Sequence, residues 1–314
     1  MALHSFAVVV VVVALVSCLL APPAVEASSV NISTYWGTDP REGGVKDGCN
    51  ASLYSIFNIG FVDRLGYDWP PRLNIHHYCD VSLKGCKYLG AEIEECQKRG
   101  VKVLISIGGP GGDYNLASPD DATRLANYLW NAYLGGNQSS VDRPFDTAIL
   151  DGVDFFIQAG NTLYWDVLAE ALRNLSNNGT QMELSASPKC KYPDKYLGAA
   201  IQTGLFDYAQ VRFYDDDSCQ YNGSFEGMKS AWNEWTAEAK VDKIFAGVTA
   251  CKCDQGYVDV GDLVSGFLPY AEKSPKFGGL MVWYIYTDHQ SGYSAKIKDV
   301  NSAIQTAPSG VEVE

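Results

Sequence analysis

Ile149-Leu150-Asp151-Gly152-Val153-Asp154-Phe155-Phe156-Ile157-Gln158 is the stretch whose reading decides the fold. Side chains alternate between faces along a strand, so Val153, Phe155 and Ile157 share one apolar face while Asp154, Phe156 and Gln158 share the other. A buried parallel strand suits such a run, with the apolar face packed on helices and the other directed into a barrel. Gln158 comes last, at the carboxyl end, which is where barrel enzymes carry their chemistry.

Outward from this run, seven more short β-branched or aromatic stretches read as strands: 30–36, 54–62, 101–107, 182–187, 208–214, 243–249 and 279–285. Segments with helical spacing lie between most of them. Over 120–134, Leu125, Leu129 and Ala132 recur every three or four residues, and over 163–175, Val167, Leu168, Ala171, Leu172 and Leu175 share one face. Strand and helix alternate throughout, and no glycine-rich dinucleotide fingerprint follows the first strand. The pattern predicts an α/β protein, a single (β/α)8 TIM barrel, and not an open doubly wound sheet. No linker divides residues 28–314. The connection from Asp63 to Gly90, with Cys79 and Cys86, reads as a disulfide-stapled surface loop, and 307–314 as a frayed tail.

The apolar run from Phe6 to Leu20, followed by Ala21-Pro22-Pro23 and the small-residue site Val25-Glu26-Ala27, predicts a secretory signal over 1–27; a signal anchor would need a longer span. The chain carries a net charge of −13, and removal of residues 1–27, whose one charged side chain is Glu26, leaves −12. So acidic a protein is a poor partner for nucleic acid or an anionic membrane. Of nine cysteines, Cys18 falls in the signal, and the remaining eight, an even number after a signal, predict disulfides in an oxidising compartment. His76, His77, Cys79 and Cys86 have no regular metal spacing, so neither metal nor cofactor is expected. Sequons at Asn31, Asn50, Asn137, Asn174, Asn178 and Asn222 point to a secreted glycoprotein, expected to act as a monomer.

The opening run resembles the fourth-strand signature of glycoside hydrolase family 18, Asp-Gly-x-Asp-x-Asp-x-Glu in active chitinases. Further markers resemble the plant class III chitinases of that family: Tyr35-Trp36-Gly37, Ser106-Ile107-Gly108-Gly109, Arg212-Phe213-Tyr214 and Trp283. The resemblance implies bridges Cys49–Cys96, Cys79–Cys86 and Cys190–Cys219. Cys251 and Cys253 have no counterpart, so a strained Cys-x-Cys bridge, a bridge between chains and two free thiols all stay open.

In active relatives a glutamic acid at the Gln158 position protonates the leaving oxygen. An aspartate at the Phe156 position orients the substrate acetamido group that assists cleavage. A neutral amide has no proton acidic enough to give, and a phenyl ring brings no anionic charge. Loss of a general acid alone costs about 10²- to 10⁴-fold in rate, so the resemblance implies a vestigial site, formed by Asp151, Asp154, Phe156, Gln158 and Tyr214, with no meaningful hydrolysis. Asp215, Asp216 and Asp217 are the carboxylates nearest in sequence that could substitute and leave a weak chitinase. Phe156 also fills the barrel as ordinary core. Tyr35, Tyr214 and Trp283 match the family's sugar-binding aromatics, although a tryptophan on a barrel strand is also plain core.

Two binding roles follow. The chain resembles the cereal xylanase inhibitor proteins, which carry an aromatic residue at the Phe156 position but usually keep the glutamate. This implies a defence protein that inhibits microbial endo-xylanases. Their two inhibitory segments would map to Asn174–Gln181 and Val258–Val264, neither of which holds Lys or Arg here. The alternative is a lectin-like binder of chitooligosaccharides, as in chitinase-like proteins that share glutamine at the Gln158 position.

Overall fold

The computed structural model describes residues 30–50, 53–67, 69–75, 78–176 and 182–306. The signal segment 1–27, His76, His77, Asn178 and the tail 307–314 lie outside the described residues. The strands, in chain order, are β1 Ile32–Trp36, β2 Ile56–Leu65, β3 Arg72–Leu73, β4 Lys102–Gly108, β5 Asp113–Tyr114, β6 Gly152–Phe156, β7 Glu183–Ala186, β8 Tyr208–Arg212, β9 Lys243–Thr249 and β10 Phe277–Trp283. Strand β1 pairs in parallel with both β2 and β10, and the path β10-β9-β8-β7-β6-β4-β2 closes the ring. Eight parallel strands therefore make a barrel, and β3 and β5 are short additions on the rim of β2.

The alternation along the deciding run separates two packing regions. Val153, Phe155 and Ile157 join the large cluster between strands and helices. Phe156 belongs to a second cluster inside the barrel, with Tyr35, Phe61, Leu104, Tyr214, Phe245 and Met281. A one-residue slip would exchange the two faces, so the register is strongly specified.

The helix predicted over 120–134 spans Pro119–Tyr133, where the Ser118 hydroxyl caps the Asp121 N–H at 3.1 Å and proline occupies the first turn. The helix predicted over 163–175 spans Trp165–Ser176 and buries Leu168 and Leu172. Two predictions shift. The last strand ends at Trp283, because Tyr284 caps a helix, Ile285–Ser291, whose Thr287 hydroxyl accepts the Tyr284 N–H at 3.3 Å. The connection after Asp63 is not simply a loop: β2 runs on to Leu65 and pairs with β3 before the helix Leu89–Lys98 begins.

Four disulfides close loops on this frame: Cys49–Cys96, Cys79–Cys86, Cys190–Cys219 and Cys251–Cys253. Among the described residues no helix is long and apolar enough to cross a membrane.

Candidate functional site

The barrel interior carries a polar layer centred on Asp154, which is fully buried. The register sets Ser106 of β4 and Ser185 of β7 level with it. Its Oδ2 accepts from Tyr35 OH at 2.8 Å and Ser106 Oγ at 2.6 Å, and its Oδ1 from Ser187 Oγ at 2.9 Å and Gln210 Nε2 at 3.2 Å. Burial pushes this carboxyl above the ordinary range, and the hydroxyl donors pull it back. Four donors satisfy the group within the core, so Asp154 has little capacity left for a ligand.

Above it stands Phe156, 1% exposed. Its ring meets Tyr35, Phe61 and Trp283 at centroid separations of 5.5, 5.3 and 5.6 Å. The Arg212 guanidinium carbon lies 4.2 Å from the ring centroid, a cation–π contact. The close approach of β4 to β6 requires Gly108, whose φ is +97° and whose Cβ would stand 2.3 Å from the Phe156 carbonyl oxygen. The next residue, Gly109, donates its N–H to that carbonyl at 2.9 Å, and a Cβ there would meet the Phe61 ring at 2.7 Å. Gly108 thus answers the strand approach and Gly109 the aromatic packing at the mouth.

Gln158 lies two residues beyond the end of β6, partly exposed. Tyr114 OH accepts its N–H at 3.2 Å, while its side-chain oxygen accepts from Arg212 Nη1 at 2.7 Å. Arg212 closes β8, is 1% exposed, and donates from Nε to the Ser187 carbonyl at 3.1 Å. Its Nη2 is buried without an acceptor. The sequence marked Arg212 only as part of a family motif. Its clasp on Gln158 spans 54 residues and leaves no local signal in the sequence.

A cavity of 350 Å³ opens beside this cluster, lined by Thr38, Phe61, Asp63, Gly109, Trp283 and Tyr284. Of the three expected sugar-binding aromatics, Trp283 is half-buried and faces it. Tyr35 and Tyr214 are 0% and 2% exposed and support Trp283 from beneath, with ring centroids 5.2 and 6.5 Å away. Phe61 and Tyr284 were missed in the sequence and line the cavity instead. The Asp63 carboxylate on the rim is held bidentately by Arg72 at 2.7 and 2.9 Å.

Asp151 sits apart, at the amino end of β6. There its carboxylate accepts from Val103 N–H and Gln97 Nε2, each at 2.9 Å, so its role is to tie strands together beneath the barrel. Asp216 accepts from Ser218 and Asp217 from Gln220, which commits both to their turn. Asp215 stays near the mouth; burial raises its carboxyl, Arg212 and Lys189 lower it, and Asp254 raises it again. The cysteines of the acidic clusters at Cys190, Asp216, Cys219 and at Cys251, Cys253, Asp254 are tied up in disulfides, which removes them as thiolate ligands.

The expected inhibitory segments present no cations. Val258, Val260, Leu263 and Val264 are buried, so Val258–Val264 shows mainly the acidic Asp259 and Asp262. Residues 177–181 of the other segment lie outside the described residues.

The model of glycosyl hydrolases family 18 matches residues 30–253. An acidic endochitinase of Cicer arietinum is 44% identical over 276 residues, covering 87% of this chain and 92% of its own. A xylanase and alpha-amylase inhibitor protein of Scadoxus multiflorus superposes with a TM-score of 0.81 at 36% identity, covering 86% of this chain and 98% of its own. A chitinase-like lectin of tamarind does so with a TM-score of 0.74 at 31% identity, covering 85% and 99%. The neighbours thus include enzymes, inhibitors and lectins on one barrel.

Proposed function

The chain belongs to glycosyl hydrolases family 18, and we propose that it is a secreted member that binds without cleaving, a defence protein that inhibits microbial endo-xylanases. The observation that carries the non-hydrolytic part is the Arg212 clasp. Where an acid would have to donate a proton stands a neutral amide already committed to a guanidinium at 2.7 Å. The group beneath it is a phenyl ring that presents no charge to a developing cation. Asp215, another carboxyl near the mouth, is raised by burial against the pull of Arg212 and Lys189, but it stands on the loop after β8 and not at the end of β6, where the acid is needed.

The inhibitory role is supported by likeness to the xylanase and alpha-amylase inhibitor proteins over nearly their whole length. Secretion fits the signal-like segment 1–27 and four disulfides, and the exposed Asn31, Asn137, Asn174 and Asn222 suit glycosylation. The test is titration of the purified protein against fungal xylanases of both common folds, with a chitin-oligomer assay alongside. Loss of xylanase rate near one equivalent and no chitin cleavage are expected. Unchanged xylanase rate at micromolar protein removes the inhibitory role, and ordinary chitin turnover removes the whole reading.

A second role, a lectin-like binder of chitooligosaccharides, is favoured by one observation. Trp283 keeps a partly exposed face on a cavity large enough for a sugar unit.

A further inference from the structure

Arg212 is a buried cation whose partners do not account for its charge. Its donors reach a backbone carbonyl through Nε and a neutral amide through Nη1, and both N–H bonds of Nη2 lack an acceptor. No ion pair with Arg212 occurs among the described residues. An unpaired buried charge is costly, and the ordinary remedy is a carboxylate matched to the planar fork. The nearest influences are Asp215, which acts on Arg212 through space, and Lys189, whose Nζ donates to the Asp215 carbonyl at 2.9 Å. Lys189 also stands level with Arg212 in the sheet, so two cations share this side of the mouth. Asp63, a carboxylate on the cavity wall, is neutralised by Arg72.

The sugar platform lies on the same support. The Trp283 ring and the Arg212 guanidinium both rest on Phe156, at 5.6 and 4.2 Å from its centroid. Trp283 is on the cavity wall, and the guanidinium is buried beside the same ring. Gln158 is partly exposed, and a single hydrogen bond holds its side chain to Arg212. A carboxylate is a stronger acceptor than the amide it would displace, and it can take Nη1 and Nη2 together.

We propose that the mouth is a receptor for an acidic saccharide, a uronic acid unit stacked on Trp283 with its carboxylate on the fork of Arg212 once Gln158 swings aside. The inference rests on the site being non-hydrolytic. A vanished acid pair and a buried arginine amount to a reversal of charge preference at the floor of the cleft.

Calorimetric titration tests it with three probes: an α-1,4-linked galacturonic acid trimer, the methyl ester of that trimer, and an N-acetylglucosamine trimer. The free acid is expected to bind roughly 10- to 100-fold more tightly than its ester, the range that a charge-assisted pair supplies. Raised salt should narrow the gap. Arg212→Met should erase the preference. Because that side chain is buried, Gln158→Glu serves as a second variant: an internal carboxylate on Arg212 should abolish the acid preference while Trp283 fluorescence still responds to the neutral trimer. Equal binding of acid and ester, absence of acid binding at millimolar concentration, or an undiminished acid preference in Gln158→Glu overturns the proposal. Cleavage of the N-acetylglucosamine trimer by the parent would instead strike the non-hydrolytic reading itself, so the two failures are distinguishable.

Discussion

Arg212 donates to the side-chain oxygen of Gln158 at 2.7 Å while lying flat enough on Phe156 to hold a cation–π contact at 4.2 Å. One guanidinium therefore engages both side chains that stand where the resemblance places the acid and the stabilising carboxylate. A carboxyl placed at 158 would sit against a permanent cation, which lowers its pKa and keeps it ionised. Gln158→Glu is expected to stabilise the fold by about 1–2 kcal/mol, since a buried charge gains the counter-charge it lacks. Thermal unfolding should rise by roughly 2–4 °C per kcal/mol for a chain of this size, with no chitin cleavage gained. A fall in the melting temperature would show that Arg212 is already balanced.

The same geometry sets what restoration of activity requires. Gln158→Glu with Phe156→Asp returns both acids but leaves Arg212 between them, where it pairs with either. The double variant is expected to stay near background on a chromogenic chitin oligomer. Adding Arg212→Gln should release the glutamic acid and raise the rate at least about 10²-fold, the low end of what a general acid contributes. Equal rates in the double and triple variants would show that Arg212 is no obstacle.

Much of the frame was legible because alternation along β6 is a local property: Phe155 and Phe156, adjacent in sequence, had to face different layers, and they do. Closure of eight strands followed from the repeat of such runs with helices between. The site was legible only where a residue's own chemistry changed, as at Phe156 and Gln158. What Arg212 does depends on a partner 54 positions away, and that Trp283 is open while Tyr35 is sealed depends on how four aromatic rings stack. Asp151 shows the converse. Its place in the motif suggested the site, yet it stands at the far end of the strand, bonded to Val103 and Gln97.

Trp283 lines the cavity while Tyr35, Phe61 and Phe156 brace its ring at 5.2 to 6.4 Å. A saccharide stacked there should change the indole emission, and Trp283→Ala should remove that change together with at least about 1–3 kcal/mol of binding. Of the six other tryptophans, Trp36, Trp165, Trp232 and Trp235 are buried, Trp130 is half-buried and Trp69 is exposed, so the response is read as the difference between the parent and Trp283→Ala. A full fluorescence response in Trp283→Ala would locate the sugar elsewhere.

The bridges differ in what they constrain. Cys251–Cys253 closes a loop of sequence separation 2 and Cys253 is exposed, whereas Cys49–Cys96 closes 47 positions and is buried. In the chain-entropy view the long loop is worth about 4 kcal/mol and the short one far less. Replacing Cys251 and Cys253 with serine should cost under about 1 kcal/mol, and mild reductant should open this bridge first. Mass analysis after timed alkylation reads the order; earlier labelling of Cys49 would refute it.

Glu42 supplies a pH dependence that starts at the cavity wall. Its carboxyl is buried behind the turn that follows β1, where Oε2 accepts from Gly37 N–H at 2.5 Å and Oε1 from Thr38 Oγ1 at 2.7 Å. Thr38 lines the cavity opposite Trp283. Burial pushes this carboxyl up from 4.5 to about 7, against the pull of those hydrogen bonds. The folded protein therefore keeps a proton that the unfolded chain has released, so the contribution is fully present below pH 4.5 and is lost as pH rises through 7. Relative to Glu42→Gln, which does not titrate, the parent should lose on the order of 2 kcal/mol of unfolding free energy between pH 4.5 and pH 8. Denaturant titrations of both proteins across that window supply the comparison. A parent-to-variant difference that stays flat, or that grows in the parent's favour with pH, would mean that Glu42 is ionised throughout and that the turn over the cavity does not respond to acidity.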